Sequence, residues 1–300
     1  MTKAENDITG FSDEKLGELL TAKLRPMEPI STDIMQAGSL KGPLRSILFD
    51  VYGTLFISAA GDINVARKAA FASKEFRALL HRFDITTPPE KVLESYFSGI
   101  RKEHQKAKQQ GVDYPEVQID RIWADVLGSK DISWAKRFSL EFELMANPVY
   151  PMPHLETLLA HCRNASLAMG IISNAQFYTP LLFQWFMKEE PAALGFEKDL
   201  LIYSYQLGCA KPSPALFNLA AARLEKRRIS PEFVLYVGND LGKDIIPAKR
   251  AGFQTALFAG DARSLRLGGR GYQSNDIEAD LVITDLRQLL PQTQNIVGRL

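Results

Sequence analysis

Carboxylates, hydroxyls, an amide and a lysine stand just behind a series of short apolar runs. "SILFDVYGTLF" (46–56) delivers Asp50 straight after such a run and follows it with Tyr52 and Thr54. "GIISNAQ" (170–176) closes on Ser173 and Asn174, and "LGCAKPSPALF" (207–217) sets Lys211 before a Pro-rich helix start. "VGNDLGKD" (237–244) holds Asn239, Asp240 and Asp244. Brought to one place, these groups make a reaction centre for an anionic substrate. A carboxylate such as Asp50 can attack covalently and divide one hard displacement into two easier steps. Ser173 and Asn174, with backbone N–H groups, can hold the non-reacting oxygens, while Lys211 offsets the charge that brings two anions together. Asp240, helped by Asp244 and Asn239, can offer oxygens to a hard divalent cation; Mg²⁺ commonly takes only one or two carboxylates plus substrate phosphate.

Convergence of these groups is the task of the runs that precede them. "SILFD" is short, β-prone and ends in a Gly-containing turn, as a buried strand does. Similar runs recur at 167–173, 199–205, 233–240, 254–258 and 280–284, with amphipathic stretches such as "PSPALFNLAAARLEKR" between most of them. Strand alternating with helix predicts a parallel sheet covered on both faces, with ligands beyond the carboxyl ends of the strands. Residues 62–148 break the rhythm: four helix-like segments separated by Gly or Pro turns predict a second, all-helical domain inserted after the first strand. The expected plan is therefore an N-terminal extension over 1–44, with one helix begun at Ser12 and the rest a loosely held arm. A core over 45–61 and 149–290 follows, and a tail over 291–300. The Gly- and Pro-bearing stretches near 57–62 and 148–153 read as hinges.

Composition narrows the class. Lys+Arg 36 against Asp+Glu 35 leaves a net charge of +1, so no global field recruits nucleic acid or an anionic membrane. Cys162 and Cys209 have neither C-x-x-C spacing nor a His cluster, which argues against a disulfide framework or a zinc site. No stretch approaches 18 apolar residues, and the first residues lack a signal-peptide pattern. The expectation is a cytoplasmic, soluble protein with a small anionic substrate, no nucleic-acid partner and no membrane. His81, His104, His154 and His161 show no paired spacing, and none is taken as catalytic. Trp123 and Trp134 lie on amphipathic segments and read as core or lining.

The ordered set "DVYGTL", "SN", "KP" and "GNDLGKD", with a helical insertion after the first motif, resembles the haloacid dehalogenase superfamily of hydrolases. The likeness is to members with the inserted-helix type of cap, and covers about residues 45–290. It implies a Rossmann-like, doubly wound parallel sheet with Asp50 as nucleophile, and Tyr52, Thr54 and Lys211 beside it in the catalytic set. It also implies Ser173, Asn174 and Lys211 on the substrate's anionic group, and Asp50, Asn239, Asp240 and Asp244 around Mg²⁺.

Two positions depart from the phosphatases of that superfamily. They carry a second Asp two residues after the nucleophile, where this chain has Tyr52. A phenol, with an ordinary pKa near 10, is a poor base at neutral pH, and losing such a group costs about 10²–10⁴ in rate. The usual Gly-Asp start of the last motif reads Gly238-Asn239 here. D-x-Y-G-T is familiar from the dehalogenases themselves, in which halide leaves without a proton and no metal is needed. Their Arg-bearing cap stretch is not found in 62–148, and "NDLGKD" keeps two acids. The mixture points first to a Mg²⁺-dependent phosphatase of a small phosphorylated metabolite. A metal-free 2-haloacid dehalogenase comes next, and then a phospholigand-binding member without turnover. Each residue also has a plainer role open to it: Asp50 as a turn cap, Ser173-Asn174 as a helix N-cap, and Asp244 as the N-cap of "IIPAKRAG".

Overall fold

The structure is a computed structural model and describes residues 25–60, 74–268 and 279–293. The helix expected from Ser12 lies outside them. Two compact units share the chain: Ala59–Val149 forms one, and Met27–Ser58 with the residues from Tyr150 onward forms the other.

The second unit carries the sheet. Its strands are β1 (Ala37–Gly38), β2 (Ser46–Phe49), β5 (Ala168–Ser173), β6 (Phe196–Tyr203), β7 (Val234–Gly238), β8 (Gln254–Phe258) and β9 (Leu281–Ile283). They lie in the order β1–β9–β8–β7–β2–β5–β6. Every pairing is parallel except that of β1 with β9. The central strand β2 runs beside β5 through Ser46↔Ala168 to Phe49↔Ile171, and beside β7 through Ser46↔Val234 to Phe49↔Val237. All four of its residues are buried, because helices cover both faces of such a sheet; that is why it reads as an unbroken apolar run. Later crossovers place β5 on one side of β2 and β7 on the other, and the crevice at that switch point is where Asp50 emerges.

Two expectations change. Residues 27–43, taken as part of a loose arm, belong to the core: β1 pairs with β9, and the Ile30 N–H donates to Asp261 Oδ1. Thr32 Oγ1 donates to the Ala259 carbonyl, and the Lys41 N–H to Gln254 Oε1. The segment is held largely by backbone and side-chain hydrogen bonds, which leave no apolar period to read. The second change is at the expected hinges. Phe56–Ser58 (β3) and Val149–Pro151 (β4) pair as a two-stranded sheet, anchored by the Phe56 ring, which meets Phe183 and Phe186 at 5.1 and 5.8 Å.

The inserted unit contains α1 (Lys74–Arg82), α2 (Pro89–Gln109), α3 (Ile119–Leu127) and α4 (Ile132–Ala146). Pro89 opens α2, Gly128 closes α3 in the left-handed conformation, and the Asp131 side chain caps α4 through the N–H groups of Ser133 and Trp134. Its core is aromatic. Trp123, fully buried, stacks on Tyr96 at 4.1 Å and meets Phe138 and Phe142 edge-on at 4.7 and 4.9 Å. Beyond β4, the core unit adds α5 (Leu155–Asn164), α6 (Thr179–Met187), α7 (Ser204–Leu207), α8 (Pro214–Glu225), α9 (Ile246–Arg250) and α10 (Leu290–Thr293).

Candidate active site

Asp50 leaves β2 with its N–H on the Val237 carbonyl at 2.9 Å, so the sheet itself fixes the start of the loop. The loop then turns back tightly: the N–H groups of Leu55 and Phe56 both donate to the Val51 carbonyl at 2.9 Å. Gly53 makes this possible with φ +81°, and a Cβ there would run into Ser264 and Asn239. The turn brings Thr54 Oγ1 to Asn239 Oδ1 at 3.2 Å, while Asn239 Nδ2 donates to the Ser264 carbonyl at 2.6 Å.

At the crevice, Asp50 Oδ1 accepts from Ser173 Oγ at 2.8 Å and from Lys211 Nζ at 2.7 Å. Lys211 also donates to Asp244 Oδ1 at 2.6 Å and to the Tyr236 hydroxyl at 3.1 Å. Asp244 Oδ2 accepts from the N–H groups of Asn239 and Asp240 at 3.1 and 3.0 Å. That approach needs Gly238, since a Cβ at 238 would overlap the Asp244 side chain. Asp50, Lys211 and Asp244 are all buried, at 7 %, 4 % and 1 % exposure. The result is two carboxylates on one ammonium in a dry place.

Titration follows from that imbalance. Burial pushes Asp50 up to about 6 from 3.8; Lys211 opposes the rise and Asp244 adds to it. Burial alone would lower Lys211, but the charges of Asp244 and Asp50 outweigh it and hold the ammonium above its ordinary value. Burial, then the charges of Asp244 and Asp50, push the Tyr236 phenol well above its usual range, so it stays protonated.

The structure brings Asp50, Ser173, Lys211 and Asp244 into one cluster and uses the other expected residues differently. Asn174 clamps a backbone: its Oδ1 accepts from the Lys211 N–H at 2.7 Å and its Nδ2 donates to the Lys211 carbonyl at 3.2 Å. Both ends of the amide are thereby engaged with Lys211 rather than presented to a substrate. Asp240 is an N-cap, its Oδ1 accepting from the N–H groups of Gly242 and Lys243. The Tyr52 hydroxyl lies 2.9 Å from Thr179 Oγ1 at the start of α6.

This bears on a divalent cation. Among the described residues no group of three carboxylates, imidazoles or thiols is placed to hold an ion. Asp244 has both oxygens on protein donors, and the Asn239 amide is held by Thr54 and Ser264. Asp50 and Asp240 each keep one oxygen outside the hydrogen bonds described. Two of the four expected ligands therefore fit, the number Mg²⁺ takes when a phosphate completes its shell.

Three participants were not read from the sequence. Tyr236 sits inside the apolar run of β7, Ser204 Oγ accepts from the Ala175 N–H at 2.9 Å, and Thr179 meets Tyr52. Only Tyr236 left a signal: a tyrosine in a strand buried on both faces must find a partner for its hydroxyl.

A buried carboxylate paired with a lysine at the switch point of a mostly parallel sheet defines the class: an α/β protein with a candidate reaction centre at the carboxyl ends of its strands. A family model described as a haloacid dehalogenase-like hydrolase matches residues 44–252, and the chain belongs to that family. Among curated proteins, a phosphoserine phosphatase from Thermus thermophilus is 30% identical over 143 residues, 47% of this chain and 50% of that one. The match thus spans half the length of that relative. A glyceraldehyde 3-phosphate phosphatase from Methanopyrus kandleri is 26% identical over 226 residues, 71% of this chain and 82% of that one. In fold the chain is similar to the crystal structure of a 2-haloacid dehalogenase from Pseudomonas syringae pv. Tomato DC3000, with a TM-score of 0.51 and 20% identity. That likeness covers 83% of this chain and 97% of the other.

Proposed function

We propose that the protein hydrolyses a small phosphate monoester through Asp50. The observation that carries this reading is the position of Asp50: one oxygen is held by Ser173 and Lys211, and the other is left to attack. The names of the two curated relatives support the phosphate class. In the first step the second Asp50 oxygen bonds to phosphorus as the ester P–O bond breaks, and the alcohol leaves with the electron pair and takes a proton from solvent water. In the second, water attacks the acyl phosphate and releases inorganic phosphate, returning Asp50 as carboxylate. Asp240 would hold Mg²⁺ through the oxygen that caps no helix, and the ion when bound would offset phosphate charge. A cytoplasmic setting belongs to the same reading, from Cys162 and Cys209, which are buried and not joined in a disulfide. Among the described residues no helix is long and apolar enough to cross a membrane.

Tyr52 favours a second reading. At the place of a proton-transferring acid stands a phenol bound to Thr179. That suits displacement at the C2 carbon of a 2-haloacid, where halide leaves with the bonding electrons and needs no proton. Phosphate release from p-nitrophenyl phosphate, phosphoserine and glyceraldehyde 3-phosphate, with Mg²⁺ or with EDTA, decides between them when run beside halide release from 2-chloropropionate. Phosphate release that Asp50→Asn abolishes supports the first reading, and metal-free halide release the second. Turnover of none of these, with phosphate still raising the melting temperature, would make the chain a binding member of the family.

A further inference from the structure

The Lys211 ammonium has three protons to donate, and three protein acceptors take them: Asp50 Oδ1 at 2.7 Å, Asp244 Oδ1 at 2.6 Å and the Tyr236 hydroxyl at 3.1 Å. The third of these is a neutral group in the middle of β7, fully buried, with its ring edge-on to Phe217 at 5.1 Å. Its single proton has two acceptors within reach, the Ile172 carbonyl at 2.9 Å and Asp244 Oδ1 at 3.0 Å. Ile172 precedes Ser173 on β5, so one phenol links the strand that supplies Ser173, the lysine and the acid behind it.

We propose that Tyr236 is a positioning residue for this hydrolase: its hydroxyl completes the cradle that fixes the Lys211 ammonium on Asp50. The proposal rests on the reading of Asp50 as nucleophile. Without the hydroxyl, one N–H of a buried ammonium has no acceptor, a cost the side chain escapes only by moving or by admitting water. The nucleophile then loses its fixed counter-charge.

Tyr236→Phe removes one oxygen and keeps the ring. In protein carrying ¹⁵N in its lysine side chains, the native Lys211 ammonium gives a slowly exchanging Nζ signal, identified by its loss in Lys211→Met, with a through-space contact to the Tyr236 ring. In Tyr236→Phe that signal exchanges with water at least about tenfold faster, and kcat falls about tenfold or more with KM unchanged within twofold. The substrate is whichever of p-nitrophenyl phosphate and 2-chloropropionate the native protein turns over. An unchanged exchange rate, or an effect confined to KM, overturns the proposal. Absence of the ring contact in the native protein does so without any variant, should Tyr236→Phe not fold. The exchange measurement reads the cradle alone, so inactivity towards both substrates would count against the hydrolytic reading and leave the cradle to be judged by exchange.

Discussion

Asp50→Asn is expected to abolish turnover and to make the protein more stable at pH 8. The cluster holds two buried carboxylates against one buried ammonium, so one negative charge is uncompensated. Burial raises Asp50 to about 6 from 3.8, which is about 3 kcal/mol against its ionised form. An asparagine keeps the shape and an oxygen for Ser173 and Lys211 while removing the charge, leaving Lys211 paired with Asp244 alone. The cost against the ionised form already nets the attraction of Lys211 against burial; because an amide replaces the neutral carboxyl imperfectly, the gain left is about 1–3 kcal/mol, or roughly 2–6 °C in Tm for a chain of this size. The sign follows from linkage. A carboxyl raised in the folded state favours folding below its unfolded value of 3.8, and that contribution is lost as pH rises through about 6. The advantage of Asp50→Asn over the native protein should therefore be full at pH 8 and fade as pH falls towards 4. Paired thermal melts from pH 4.5 to 8.5 measure it. A variant that melts at or below the native protein at pH 8, or a gap independent of pH, would show that attraction to Lys211 outweighs burial and refute the reasoning.

The remaining expectations concern the same cluster. Asp50 attacks only when ionised, so kcat/KM should fall about tenfold per pH unit below about 6; an acid limb near 4 in the pH–rate profile would contradict the burial argument. Lys211→Met leaves Asp50 and Asp244 without their shared counter-ion, and urea unfolding at pH 7 should show a loss of about 3–5 kcal/mol together with loss of turnover. Tyr52→Asp supplies the acid that phosphatases of the family carry, and should raise phosphate-monoester turnover by about 10²–10⁴. No gain with saturating Mg²⁺ would place the deficit at Asn239 instead.

The strands could be read because a parallel sheet buries both faces of β2 and β7, and burial on both faces leaves an apolar run in the chain. The chemistry just beyond each run could be read for the same reason: Asp50, Ser173 and Lys211 follow from where strands end. What those side chains do to one another could not. Asn174 and Lys211 are thirty-seven residues apart, and that one clamps the backbone of the other depends on the heights at which two loops leave the sheet. Thr54 meets Asn239 where Gly53 lets the loop approach Asn239 and Ser264 more closely than a Cβ permits, and Gly238 does the same for Asp244. Tyr236 shows itself in "FVLYVGND" only through its hydroxyl, which a strand buried on both faces must pair, and nothing in the run says with what. The difference matters for the reaction. Ser173, Lys211 and Asp244 all act on one oxygen of Asp50 or on the group that holds it, and Asn174 holds that group's backbone. Most of the motif side chains are thus committed to Asp50 or to the group that holds it, and on the proposed reading selectivity for the leaving group is expected elsewhere, first at Tyr52.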